Sequence, residues 1–68
     1  MILVQECSLN PGTNEAKISA FADTKEEVTE DATFVGLPKD VTIAPGSMVL
    51  TANADVAFRR SDSTWNWV

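Results

Sequence analysis

Chemistry in this 68-residue chain would have to come from a dense carboxylate run, one cysteine, an arginine pair and two late tryptophans. Glu26, Glu27, Glu30 and Asp31 could supply acid and base only from a cleft that shifts their pKa values. The run is polar and reads as a solvated surface element, with Val28 the one large apolar residue inside it. Calcium would need closely spaced Asp residues around a glycine, which this run lacks. Zinc is excluded by the absence of histidine and the single cysteine. Cys7 has no histidine to draw off its proton, so it reads as a small buried apolar residue. Ser61, Asp62, Ser63 and Thr64 form a hairpin turn and not a nucleophile elbow. Gly12, Gly36 and Gly46 each sit beside a proline or a turn, so none builds a phosphate loop.

Two features remain. Arg59 and Arg60 occupy adjacent strand positions and must point to opposite faces, which makes a poor anion clamp. Trp65 and Trp67, two apart, share a face and could stack on a sugar ring. A sugar platform would want tyrosine beside it, and the chain has none. The tryptophans read instead as core or subunit-interface residues. No catalytic residue, cofactor site or metal site is expected, and the chain is not read as an enzyme.

Composition narrows the class further. A net charge of −5 leaves no basic face for phosphate, which argues against nucleic acid. The opening "MILVQEC" has no basic segment and too short an apolar one for a signal peptide. No apolar run approaches the ~18 residues of a membrane-spanning helix, so no membrane role is expected. Residues 1–68 make one small domain, and a domain this size buries only about 60% of its unfolded surface. Without a disulfide or a metal, the remaining staple is self-association or docking on a larger assembly.

The elements are short and evenly punctuated. Residues 2–7 and 16–22 read as strands around an Asn10-Pro11-Gly12 turn, with Ile18, Ala20 and Ala22 sharing a face. Asp23 can cap one helical turn, with Glu26 reaching back to it. Residues 33–35 and 41–43 are short strands, and Pro45-Gly46 is a type II turn. Residues 47–51, 56–60 and 64–68 form a three-stranded meander. Placing Thr51 opposite Val56 and Arg60 opposite Trp65 sets Val49 against Phe58 and Phe58 against Trp67. Arg60 would then stack on Trp65, and Met48, Leu50, Ala57, Asn66 and Val68 would line the other face. The pattern predicts a mainly β fold: a small antiparallel barrel or folded sheet, with a C-terminal meander and one short helical turn. Phe58, Arg60, Trp65 and Trp67 are the candidate interface.

The runs "ADTKEEVTED" and "GLPKDVTIAPGSMVLTANADVAFRRSDSTWNWV" resemble small virion-associated proteins of tailed bacteriophages and prophages. The likeness covers roughly residues 22–68 and rests on "DTK", the "APGS" turn and a last hairpin of the form VAFxxSDxTW. Ser63 departs from it, standing where glycine is expected in the hairpin turn. The resemblance implies a non-enzymatic structural role in the virion, as head decoration, head fibre or tail accessory. It implies manufacture in the host cytoplasm and self-association, a trimer being favoured, or docking on a capsid or tail protein. A small acidic module that binds or inhibits a host protein is the alternative.

Overall fold

A computed structural model of the chain describes residues 1–29 and 31–68. Seven strands form one mixed sheet: β1 (Ile2–Asn10), β2 (Glu15–Ala22), β3 (Phe34–Val35), β4 (Thr42–Ile43), β5 (Met48–Thr51), β6 (Val56–Arg59) and β7 (Trp65–Trp67). Their order is β3-β1-β2-β5-β6-β7, with β4 also pairing β2. This is the folded-sheet form of the expected architecture. It is not a closed barrel, because the edge strands β3 and β7 bond only to β1 and β6.

The sheet is less antiparallel than the sequence suggests. β1–β2, β5–β6 and β6–β7 are antiparallel, whereas β3 on β1, and β4 and β5 on β2, run parallel. β4 and β5 lie end to end along the same edge of β2. Between them, the Pro45-Gly46 turn steps the chain away from the ladder, Gly46 taking φ +91 as a type II turn requires. The step leaves the Ile18 N–H without a ladder carbonyl. Ser47, fully buried, fills the gap: its Oγ accepts from Ile18 N–H at 2.9 Å. A buried donor stripped of its acceptor costs about 1–3 kcal/mol. Ser47→Ala is therefore expected to lower the unfolding free energy by that amount, read from a urea transition.

One face of the sheet is concave and carries the core. Ile2, Ala16, Ile18, Ala20, Ala22, Val49 and Ala57 point into it, and Val28 and Phe34 cover it from the connection between β2 and β4. Four of these residues are alanines, because opposed walls of a tightly folded sheet leave little room for larger side chains. Side chains bridge the mouth that hydrogen bonds leave open. The Phe34 ring of β3 stacks on Trp65 of β7 with centroids 5.9 Å apart, and Lys25 lies 5.1 Å over Trp67.

The helical turn is one turn of 3-10 helix, Lys25–Glu27. Its cap is Thr24, not Asp23. Glu27 accepts from the Thr24 N–H at 2.8 Å, while Asp23 still extends the β1–β2 ladder and receives the Met1 amino group at 3.0 Å. The capping pair thus sits one residue later than its sequence reading. Asp23, Glu26 and Asp31 are exposed, as a surface element requires; Glu30, of the same run, lies outside the described residues. No helix among the described residues is long and apolar enough to cross a membrane.

Candidate interaction surface

The two hairpin loops of the meander decide which side chains share a face. Thr51 N–H donates to the Asp55 carbonyl, which leaves Ala52, Asn53 and Ala54 as a three-residue loop. Arg60 N–H donates to Thr64, so Ser61, Asp62 and Ser63 make a second one. Each loop ends on a left-handed residue, Ala54 at φ 67 and Ser63 at φ 69, which is how three-residue hairpins close. Leu50 then faces Val56, Val49 faces Ala57, and Met48 faces Phe58; across the next pair, Ala57 faces Trp67, Phe58 faces Asn66, and Arg59 faces Trp65.

This register corrects the one read from the sequence by one residue on each side of β6. A one-residue slip turns every side chain of a strand to the other face. Trp65 and Trp67 keep the expected face with Val49, but Ala57 and Arg59 join them in place of Phe58 and Arg60. The guanidinium over the Trp65 ring, 5.1 Å from its centroid, belongs to Arg59. Arg60 points the other way and donates from Nη2 to Asn66 Oδ1 at 2.6 Å. The four candidate residues are therefore split: Trp65 and Trp67 line the concave side, half-buried, while Phe58 and Arg60 stand on the convex side.

Ser63 is strained where glycine is expected. A left-handed conformation costs an L-residue about 1–2 kcal/mol, which glycine avoids. Ser63→Gly is expected to raise stability by about 1 kcal/mol, visible as a higher denaturation midpoint. Beside it, Thr64 donates to Asp62 through both Oγ1 and N–H, at 2.6 and 3.2 Å. These bonds, helped by the charge of Arg60, hold the Asp62 carboxyl below the ordinary aspartate value. A lowered carboxyl stabilises the fold above its unfolded-state pKa, and the contribution fades as pH falls below about 4.

Cys7 is exposed, against its reading as a buried residue. β1 bulges at Gln5, and beyond the bulge its outer edge is free, since β3 reaches only Ile2 and Leu3. All of β1 from Gln5 to Asn10 is accordingly exposed. An open groove of about 570 Å³ runs beside it, with Glu6, Cys7, Lys17, Ile18, Ser19 and Met48 in its lining. Among the described residues, no three carboxylate or thiol side chains come together to hold a metal.

The convex face holds what the sequence did not single out. Pairing aligns Val35, Leu3, Phe21, Leu50 and Val56 in one row across five strands. A second row runs Ser19, Met48, Phe58 and Asn66. Leu3 and Val35 are each 45% exposed, Phe58 42% and Leu50 38%. Large apolar side chains thus stand outside as well as in the core, and among the described residues no element packs over them. The signal is present in β2 and β5, where both faces carry apolar side chains, Phe21 outside on β2 and Met48 and Leu50 outside on β5. Comparison of the chain with protein-family models, with curated proteins and with solved structures found no match to any of them.

Proposed function

We propose that this chain is a non-enzymatic structural protein of a tailed-phage virion and works by association through the convex face of its sheet. The observation that carries the reading is the row Val35, Leu3, Phe21, Leu50 and Val56, apolar across five strands, with Val35, Leu3 and Leu50 exposed and Phe21 and Val56 half-buried. Exposed apolar patches larger than a few hundred Å² are rare on monomers and mark sites that a partner covers. Covering them gains roughly 25 cal/mol for each Å² removed from water. A domain with so small a core has that much more to gain from association. The virion setting is supported by the resemblance over residues 22–68, including a last hairpin whose turn takes the left-handed conformation that the expected glycine would favour.

Mass spectrometry of purified virions tests it. The chain is expected at a fixed copy number, set by the symmetry of the site it occupies. Its absence from virions, with recovery from infected cells on a host protein, would overturn the structural reading in favour of an acidic inhibitor.

A further inference from the structure

We infer that the open outer edge of β1, residues 6–10, pairs antiparallel with the same edge of a second copy, on a two-fold axis through Ser8. This contact is separate from the convex face and does not rest on the association proposed there.

An edge strand carries a row of unpaired N–H and C=O groups, and what satisfies such a row is another strand. β3 follows β1 only along Ile2 and Leu3. Gly36, at φ +96, then turns the chain away beside Val4. The other side of β1 is taken by β2 as far as Asn10. Residues 6–10 thus keep a free backbone edge among the described residues. The outer edges of β3, β4 and β7 run only two, two and three residues. Proteins block long edges with lysine, proline or a bulge. Residues 6–10 hold no lysine and no proline, and the bulge at Gln5 lies just before them.

The identity of the added strand follows from complementarity. Pairing with β2 puts Cys7 and Leu9 on the core face, beside buried Ile18 and Ala16, and Glu6, Ser8 and Asn10 on the convex face. A two-fold axis at Ser8 sets Cys7 of each copy opposite Leu9 of the other, Glu6 opposite Asn10, and Ser8 opposite itself. Every pair shares a face, apolar meets apolar, each carboxylate meets an amide, and no like charges stand opposite. An axis at Cys7 would instead set the bulge residue Gln5 against Leu9. The Ser8 axis also accounts for two exposures that the convex face does not. Leu9 is 55% exposed and Cys7 is exposed, although their β2 neighbours are buried. Across the joint, the apolar row of Ile18 and Cys7 runs on into Leu9 and Ala16 of the other copy. An edge that matches itself makes a closed, isologous pair.

Disulfide formation in air reads the axis directly. In Cys7→Ser combined with Ser8→Cys, the two thiols face each other with Cα atoms about 4.5–5.5 Å apart, within disulfide reach. In the unmodified chain the two Cys7 residues stand diagonally, about 7–8 Å apart, beyond that reach. The double variant is expected to cross-link at least tenfold faster than the unmodified chain. Sedimentation equilibrium should show a species of twice the 7.4 kDa chain mass. Leu9→Lys, which enters the contact twice, should weaken it at least a hundredfold while circular dichroism stays unchanged. Leu50→Glu, on the convex face, should leave this dimer as it is. A monomer at every concentration, a dimer indifferent to Leu9→Lys, or faster cross-linking through Cys7 would overturn the inference. So would amide protection at residues 6–10 that appears only when another virion protein is added, since that protein would then supply the strand.

Discussion

Trp65→Ala is expected to lower the unfolding free energy by about 3 kcal/mol, the lower end of the range for truncating a packed tryptophan. The ring is the piece that closes the folded sheet. It stacks on Phe34 from the opposite edge strand and carries the Arg59 guanidinium on its surface. No hydrogen bond joins β3 to β7, so truncation opens the mouth above an alanine-rich core. A 68-residue domain has roughly 3–10 kcal/mol in all, so the loss removes a third of it or more. Trp65→Phe separates the causes. The indole Nε1 is buried without a partner among the described residues, so the change gives up no hydrogen bond and keeps a stacking ring. It should cost about 1 kcal/mol, and a Phe34→Ala, Trp65→Ala cycle should show a coupling of about 0.5–1.5 kcal/mol. Urea transitions followed by the fluorescence of Trp67 read all of these variants. Equal losses for Trp65→Phe and Trp65→Ala would show that the stack does not close the sheet.

Val49 and Leu50 are neighbours on β5, and the same substitution should have opposite outcomes at the two. Val49 is fully buried between Ala20 and Ala57 on the concave face. A carboxylate there loses its water and finds no cation opposite, a penalty of several kcal/mol that exceeds what so small a domain can absorb. Val49→Glu is expected to yield an unfolded chain by circular dichroism. Leu50→Glu places its charge in solvent on the convex face and should leave the fold of each subunit intact. If both variants fold, or neither does, the two-faced sheet is wrong.

How much of this was legible in the residues follows from what each local signal determines. Strands and turns announce themselves. Asn10-Pro11-Gly12 and Pro45-Gly46 carry the turn chemistry, and Ile18, Ala20 and Ala22 alternate onto the core face as read. The register of β6 did not announce itself, because the left-handed residues that shorten both hairpin loops are Ala54 and Ser63. Neither residue type signals that conformation as glycine or asparagine would, so a three-residue loop looks like a four-residue one. Two such errors, one on each side, left β5 and β7 correctly placed and turned β6 alone. That is why Phe58 was assigned to the tryptophans and Arg60 to the indole. The parallel pairing of β5 on β2 was also hidden. Parallel strands usually need a crossover of a dozen or more residues, most often helical, and residues 23–47 show turns and scraps of strand instead. Cys7 was misplaced for a related reason. With no histidine to activate it, the thiol reads as a small buried apolar group, but whether a third strand covers the distal half of β1 depends on where β3 stops.

The central claim is that the chain associates through the convex face, and not through the tryptophan face. Photo-crosslinking in purified virions, with the reactive group placed in turn at Leu3, Leu50, Phe58, Trp65 and Trp67, tests this most directly. Crosslinks to a neighbouring protein are expected from Leu3, Leu50 and Phe58, which are exposed, with none from Trp65 or Trp67. Crosslinks confined to the two tryptophan positions, or none at all, would contradict it.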